Sequence, residues 1–384
     1  MTSFSKAYFT RNPIIIEDKS SQLTGNTPFE LRMGGSKVYE GRYVSPARLD
    51  VSEIAGAFAP QIPEADGTKA VSGLVGVETA DVMGKRTLSA YTGGAAVLTD
   101  AVCIPGGVSP QNYRRLRNLG HDIFTARLLD KRGNFFMTTR THSWKIEIPE
   151  IEISPLYFIN TEADDTQIRF RVPLTDMETE WPALGRGIYA LDINGLRERI
   201  YDLHDFWPSV FDVYYGEYLS CRIAVTECLP SEQQTILKFR NSMGVFETVS
   251  LTGDIDIGYT AKESGEDERA CFDNTALTFV RSPDRKRMQT TLTAESGHKT
   301  SEQFAFMLDM LASDEIYLKD RTGWNRVDAT AEETTRKKRQ TKPESMRVTL
   351  TFCDTSDNIT PEIRDADDFR KPRIFSGQHT DEFN

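Results

Sequence analysis

The sequence contains few of the residues that build metal sites, disulfide networks or membrane spans. Its 384 residues include five histidines and five cysteines. The cysteines are odd in number and scattered, which predicts free thiols in a reducing compartment and no disulfide framework. The longest aliphatic run near the N-terminus is residues 14–16 (III), so we expect neither a secretion signal nor a membrane-spanning helix.

Sequence motifs for cofactors are also missing. Residues 84–87 (GKRT) resemble part of a phosphate-binding loop, but Thr79 occupies the position at which that loop requires a glycine. The histidines lie far apart, and residues 254–258 (DIDIG) lack the remaining ligands of a calcium loop. We therefore predict a protein without a bound cofactor, nucleotide or metal.

Net charge argues against a nucleic-acid-binding protein. Lys and Arg number 46 and Asp and Glu number 57, which gives a formal charge of −11, whereas nucleic-acid binding requires a basic surface. Aromatic residues are plentiful, because 21 Phe, 13 Tyr and 4 Trp are available for cores and contact surfaces. These numbers favour a folded, acidic protein with no sequence-specific nucleic-acid partner.

Alternation of apolar and polar residues predicts a mainly β protein. Residues 144–148 (WKIEI), 168–172 (IRFRV) and 346–352 (MRVTLTF) alternate with a period of two, as half-buried strands do. Residues 130–133 (DKRG) separate two apolar runs and place a glycine where a tight turn needs one, which predicts a hairpin.

Helices are predicted to be few and short. Ser109 and Pro110 are suited to the first positions of a helix that ends before Gly120. A second helix begins after Thr300, which forms the capping-box pattern with Gln303. Its apolar residues recur at helical spacing, which predicts one face packed on a core. They are Phe304, Met307, Leu308 and Leu311.

Composition suggests several domains, built as β-sandwich-like modules with a small C-terminal α+β unit. A weak repeat is present, because an L-D-[VI] turn at residues 49–51 follows one alternating strand and another at 191–193 follows a second; two related modules explain it, and so does coincidence among alternating strands. The expected ranges are an N-terminal β-module at 1–60, a β-rich insertion or second half of that module at 61–160, a second β-module at 161–262, an α+β unit at 263–355 and an extended tail at 356–384.

Catalytic residues do not form a recognisable motif. Asp212 and Glu217 flank two tyrosines, as carboxylates do in some sugar-binding clefts, and the His121-Asp122 and His204-Asp205 pairs are suited to acid–base chemistry. Nothing distinguishes these carboxylates from the other acidic residues, so we predict that the protein is not an enzyme. A carbohydrate-binding or glycan-degrading β-module remains the alternative.

One basic run is prominent in the acidic chain. It is suited to contact with an acidic surface of a neighbouring subunit or with DNA, or it is a solvated loop. We expect a subunit or partner contact. Its residues are Arg336, Lys337, Lys338, Arg339 and Lys342.

Several segments follow one another in a recognisable order. They are 12–16 (NPIII), 29–32 (FELR), 38–41 (VYEG), 49–54 (LDVSEI), a "strand, N-S-x-G, aromatic" hairpin at 237–248 (LKFRNSMGVFET), a helix and strand at 301–317, and 323–327 (GWNRV). This order resembles that of tail and baseplate structural proteins from phages of Bacteroides-type bacteria, over about two thirds of the chain and excluding 61–160. The resemblance implies a virion protein, made in the host cytoplasm, that forms a cyclic homo-oligomer and docks to neighbouring tail proteins without catalytic residues or cofactors.

Overall fold

The structure, a computed structural model of the chain, divides into two compact units. Unit 1 comprises the described residues of 1–256 and 292–351, and unit 2 comprises those of 257–291 and 352–384. The expected domain boundaries remain a prediction. The described residues are 7–18, 24–65, 73–120, 132–141, 143–160, 167–181, 184–228, 234–263, 268–283, 286–320, 323–331 and 345–354.

Strands dominate the described residues and form several sheets, which confirms the prediction of a mainly β, multi-sheet protein. Short 3₁₀ turns occur at Gly84–Arg86 and Glu150–Glu152. The elements of the first 120 residues are β1 (Ala7–Phe9), β2 (Ile15–Asp18), β3 (Thr24–Met33), β4 (Ser36–Ser45), β5 (Ala47–Asp50), α1 (Ser52–Phe58), β6 (Leu74–Thr79), α2 (Ala80–Met83), β7 (Thr87–Thr92), β8 (Ala95–Ile104) and α3 (Pro110–Asn118).

The N-terminal sheet has the strand order β1-β8-β7-β3-β4, in which β1 and β8 are parallel and the other neighbours are antiparallel. Strand β3 shows why the alternating pattern forms a sheet. Phe29, Leu31 and Met33 on one face are buried with Leu88 and Ala90 of β7. The short pair β2–β5 packs on the same core and leads into α1.

The middle of unit 1 is a β-sandwich. The five-stranded sheet β12-β11-β14-β15-β9 and the three-stranded sheet β10-β13-β6 contribute to one core, in which Trp181 stacks on Phe158 and contacts Phe170 at a centroid distance of 4.6 Å. The elements are β9 (Lys145–Pro149), β10 (Leu156–Asn160), β11 (Ile168–Arg171), β12 (Glu178–Glu180), β13 (Gly187–Leu191), α4 (Ile193–His204), β14 (Val210–Tyr215) and β15 (Tyr218–Thr226).

The remaining strands build a seven-stranded sheet and a separate hairpin. The sheet has the order β17-β16-β22-β23-β24-β21-β18, and the hairpin is β19–β20. The elements are β16 (Thr235–Arg240), β17 (Phe246–Leu251), β18 (Ile255–Glu263), β19 (Glu268–Asp273), β20 (Thr278–Pro283), β21 (Lys286–Glu295), α5 (Ser301–Leu311), β22 (Ile316–Lys319), β23 (Trp324–Ala331) and β24 (Arg347–Phe352).

Both sequence-predicted helices are present, with differences in what they bury. In α5, the Thr300 side chain accepts a hydrogen bond from the Gln303 backbone N–H, and the Gln303 side chain accepts one from the Thr300 backbone N–H, so the capping box forms as expected. Leu308 is exposed, however, because the buried face of α5 is formed by Phe304, Phe306, Met307 and Met310. Helix α3 starts at Ser109 and Pro110 as predicted, and it buries none of its residues.

Both L-D-[VI] turns lead from a strand into a helix. Asp50 is the last residue of β5, and its Oδ1 accepts a hydrogen bond from the backbone of Ser52 at 3.0 Å, while Asp192 follows β13 and accepts one from Asn194 at 3.1 Å. Asp192 is itself the N-cap of α4, whereas the N-cap of α1 is Val51, so the two turns are similar but not identical. Most of the predicted hairpin turn at 130–133 and the predicted tail at 356–384 lie outside the described residues.

Candidate functional site

The basic contact segment predicted from the sequence lies outside the described residues. Its assignment to a subunit contact therefore stays a prediction. The segment follows β23 and precedes β24 in the chain, and it consists of Arg336, Lys337, Lys338, Arg339 and Lys342.

The structure gives separate surroundings to the candidate carboxylates that it describes. Asp212 is buried and forms a bidentate ion pair with Arg222, with distances of 2.6 and 3.0 Å. Glu217 lies in the exposed turn between β14 and β15, and the His204-Asp205 pair lies at the exposed end of α4. The His121-Asp122 pair lies outside the described residues. Asp212 thus has a structural partner that the sequence alone did not reveal.

The phosphate-loop resemblance corresponds to a structural turn. Residues Gly84–Arg86 form a 3₁₀ turn, and the Arg86 guanidinium is completely buried. It makes two hydrogen bonds of 2.6 Å to the carboxylate of Glu78 and also donates to the backbone carbonyls of Pro60 and Gln61. Because a buried cation needs such partners, Arg86 holds the segment at residues 60–61 against the sheet.

The structure also contains a buried cluster of four charged residues, which the sequence does not reveal. Arg140 contacts Glu152 at 2.5 Å and lies 3.6 Å from Glu247, while Lys299 lies 3.8 Å from Glu152. At least nine tenths of each side chain is buried. The Arg140 guanidinium also lies 4.4 Å from the ring centroid of Phe306, which adds a cation–π contact. The cluster therefore joins the loop before β9 to β17 and α5.

Burial and charge shift the pKa values in this cluster in opposite directions. Burial raises the pKa of Glu247, and the Arg140 charge only partly offsets that effect. Burial acts in the same sense on Glu152, but the charges of Arg140 and Lys299 outweigh it and lower the pKa of Glu152. Burial lowers the pKa of Lys299 despite the attraction of Glu152. The cluster thus favours an ionised Glu152 beside a less acidic Glu247.

A small cavity of about 150 Å³ opens beside the charged cluster. Thr141, Ser143, Glu302 and Gln303 contribute polar groups to its wall. The four charged side chains of the cluster are already paired with one another or with neighbouring hydrogen-bond donors and acceptors. We therefore interpret the cluster as a structural ion-pair network, because its charges are satisfied within the protein.

The N-S-x-G turn between β16 and β17 also makes structural contacts with distant segments of the chain. The Asn241 side chain is buried and makes hydrogen bonds with four partners: Met137, Met243, Val245 and Glu247. Gly244 has a φ of +86°, and a Cβ atom there would overlap the carbonyl oxygen of Pro105. The glycine is therefore required by a close approach of two backbones, which sequence spacing does not reveal.

Unit 2 carries the largest departure from ordinary packing. We call residues 257–291 the β arm, and none of its side chains whose exposure the structure describes, at 257–261, 270, 272–280 and 287–291, is buried. Several of its exposed residues are large and apolar: Ile257 (59% exposed), Tyr259 (58%), Phe272 (49%), Leu277 (76%), Phe279 (70%) and Val280 (46%).

Two aromatic rings on the β arm are directly opposite in the β19–β20 hairpin. Phe272 pairs with Phe279, and their rings meet edge to face at a centroid distance of 5.2 Å. The pair gives the hairpin a rigid aromatic face with most of its area exposed to solvent. Such a face is suited to contact with another protein surface.

Two further features are absent from the described residues. Within them, no helix is long and apolar enough to cross a membrane. The part of the chain that the structure describes also contains no group of three or more His, Cys, Asp or Glu side chains placed to hold a metal.

Comparisons with known proteins do not assign this chain to a family. No family model matches the sequence, and no curated protein matches it significantly.

Proposed function

We propose that the protein is a structural component of a phage tail or baseplate, which forms a ring by self-association and docks to neighbouring tail proteins. The observation that supports this proposal best is the β arm. It carries six large apolar side chains that remain at least 46% exposed, five in its strands and Leu277 in the turn between β19 and β20. In this proposal the protein has no catalytic role, binds no cofactor and resides in the virion after synthesis in the host cytoplasm.

The β arm has the energetics of a segment that a partner stabilises. Fixing the backbone of one residue costs about 1–2 kcal/mol, and a two-stranded hairpin without a core is only marginally stable in water. Burying one Phe or Leu side chain returns about 1.5–3 kcal/mol. A partner surface that covers Phe272, Leu277 and Phe279 would therefore supply much of the stabilisation that the arm lacks.

A contact of this kind also fits a ring. In this proposal the partner surface of the arm lies elsewhere on a neighbouring molecule. Such a heterologous contact, repeated by rotation, closes into a cyclic oligomer. The glycan-binding alternative is less well supported, because Asp212, one of its two candidate carboxylates, is already paired with Arg222.

The oligomeric state of the purified protein tests this proposal. We expect light scattering after size exclusion to give a cyclic oligomer, and negative-stain images to show rings. Replacing Phe272 and Phe279 together by Ser should abolish the association, because it removes the aromatic face, and it should leave the thermal melt of unit 1 unchanged.

The matched control is Phe58→Ser. Phe58 lies in α1 and is 51% exposed, close to the 49% exposure of Phe272, so it tests whether loss of any exposed phenylalanine affects assembly. Rings that form normally with the double arm variant would contradict the role of the arm. A wild-type protein that stays monomeric over the accessible concentration range, also beside purified tail proteins, would contradict the proposed function.

A further inference from the structure

A second exposed apolar surface lies at the C-terminal end of α4, within unit 1. We call it the α4 patch, and it consists of Tyr201 (47% exposed), Leu203 (58%), Phe206 (42%) and Trp207 (44%). These residues occupy the last turn of α4 and the segment directly after it. Isolated exposed apolar residues are ordinary on protein surfaces, but four within seven positions form a contiguous surface that indicates a contact.

Contacts within unit 1 fix the positions of the Tyr201 and Trp207 rings of the α4 patch. The Arg197 guanidinium lies 4.6 Å from the Trp207 ring centroid, and only 4% of Arg197 is exposed. Arg197 donates hydrogen bonds to the carbonyl oxygen of Pro208 at 3.0 Å and to Glu150 at 2.9 Å. Tyr201 meets Trp207 nearly edge to face at 6.1 Å. A partner therefore finds rings whose positions are already fixed, which lowers the entropic cost of binding.

Acidic residues surround these rings. Glu198, Tyr201 and Asp202 are spaced at i, i+3 and i+4, so they lie on one side of α4, and Asp205 is the residue directly after its last turn. All four are exposed, and none of the three carboxylates forms an ion pair within the described part of the chain. The C-terminal end of a helix adds a partial negative charge at the same place.

We propose that the α4 patch binds the basic segment of a second copy of this chain, at Arg336–Arg339 and Lys342. This inference rests on the proposed self-association and names its second contact. Exposed aromatic faces attract Arg and Lys by cation–π interactions, and unpaired carboxylates beside them add charge complementarity. The chain itself supplies a matching ligand, because residues 336–339 are four consecutive cations in a protein with a formal charge of −11.

The charge of the α4 patch also distinguishes this partner from DNA. Glu198, Asp202 and Asp205 repel phosphate groups, whereas a Lys/Arg-rich segment of a neighbouring copy neutralises them. A contact between the patch of one molecule and the basic segment of the next is heterologous, as ring formation requires.

Binding of a synthetic peptide tests the contact directly. The probe is residues 334–345 (TTRKKRQTKPES), and the protein used is the full chain with Arg336, Lys337, Lys338 and Arg339 replaced by Glu, so that its own segment does not compete. We expect saturable binding that weakens as salt is added. A peptide with Glu at the same four positions should not bind.

Charge reversal at the patch provides the matched comparison. Glu198→Lys with Asp202→Lys should weaken peptide binding by about tenfold or more, which corresponds to about 1.4 kcal/mol. The control is Glu217→Lys with Asp328→Lys, two exposed carboxylates that form no ion pair within the described residues. Equal binding to both variants, or binding of the Glu-containing peptide, would overturn the inference.

Mixing two full-length variants shows whether the contact joins different copies. The patch-reversed and the segment-reversed proteins should each fail to form rings through this contact, whereas their mixture should form mixed oligomers, because each patch then meets a segment of opposite charge. If the mixture does not associate, and association returns only in a chain that carries both reversals, the patch and the segment meet within one molecule and the inference is wrong. Rings formed by wild type and by the patch-reversed variant alike would overturn this inference and leave the proposed function standing.

Discussion

At the scale of single residues, the sequence does not reveal which polar side chains join the segments of unit 1. Arg86, Arg140 and Asn241 belong to ordinary-looking loops in the sequence, yet each is buried and bonded to distant segments. A polar residue gives no sequence signal that it will be buried, because the partners that compensate its desolvation are far away in the chain. Asp212 is likewise a candidate catalytic carboxylate in the sequence, whereas the structure pairs it with Arg222 across the β14–β15 hairpin.

Gly244 provides a direct test of the backbone contact at the N-S-x-G turn. Gly244→Ala should destabilise the protein by about 1–2 kcal/mol for the left-handed conformation, and by about 1–3 kcal/mol more because the added Cβ overlaps Pro105. The control is Gly94→Ala, since Gly94 has a φ of +84° but nothing within 4 Å of an added Cβ. Urea denaturation measures both, and equal losses would show that the contact with Pro105 is not made.

Glu152 makes the stability of unit 1 depend on pH. Its pKa is lowered chiefly by Arg140 and Lys299 against the opposing effect of burial, so the stability it contributes is present above the unfolded-state pKa of about 4.3 and is lost as pH falls through the lower folded-state pKa. Glu152→Gln should therefore lower the free energy of unfolding by about 3–5 kcal/mol at neutral pH.

The difference in the free energy of unfolding between wild type and Glu152→Gln should become smaller as the pH falls below about 4. Chemical denaturation at a series of pH values measures it. Glu150→Gln is the neighbouring control, because Glu150 is half exposed in its pair with Arg197 and should contribute less than about 1 kcal/mol. A difference for Glu152→Gln that stays constant from neutral to acidic pH would contradict the assigned ion pair.

At the scale of elements, local chemistry was sufficient for several predictions. The capping box at Thr300 and the start of α3 at Ser109 were confirmed, because capping depends on residues three positions apart. The alternating runs likewise became β9, β11 and β24. The buried face of α5 was harder, since Phe306 and Met310 were missed and Leu308 proved exposed. Which side of a helix faces the core depends on the sheet beneath it.

Thr300→Ala should weaken α5. Loss of the hydroxyl leaves the Gln303 backbone N–H without its acceptor and should cost about 0.5–2 kcal/mol. Thr300→Ser keeps the hydroxyl and should remain close to wild type in a thermal melt. If the two variants melt at the same temperature, the capping hydrogen bond does not stabilise the helix.

At the scale of the whole molecule, the β arm and strand β17 should differ sharply in local stability. None of the arm residues whose exposure the structure describes is buried, whereas every residue of β17 is. Amide hydrogens at 257–291 should therefore exchange much faster than those of β17 in the isolated protein, and they should become protected when the ring forms. Hydrogen-exchange mass spectrometry measures both states. Arm amides that gain no protection on assembly would show that the arm is not part of the subunit contact.

The sequence by itself determined the mainly β character, the helix starts and the turn chemistry of this protein. These features depend on side-chain period and on hydrogen bonds between near neighbours, both of which can be read from the order of residues. It also determined the acidic charge and the position of the basic segment, which follow from composition alone.

Only the tertiary structure decided which strands are neighbours and which polar groups are buried. Strands β16 and β17 join β21 and β24 in one sheet, although the two pairs are far apart in the sequence. Alternation shows that a strand has an apolar face but not which strand will cover it, because pairing is selected by packing over the whole chain. The exposed β arm and the buried pairs of Arg86, Arg140 and Arg197 have the same origin: each depends on whether distant segments meet.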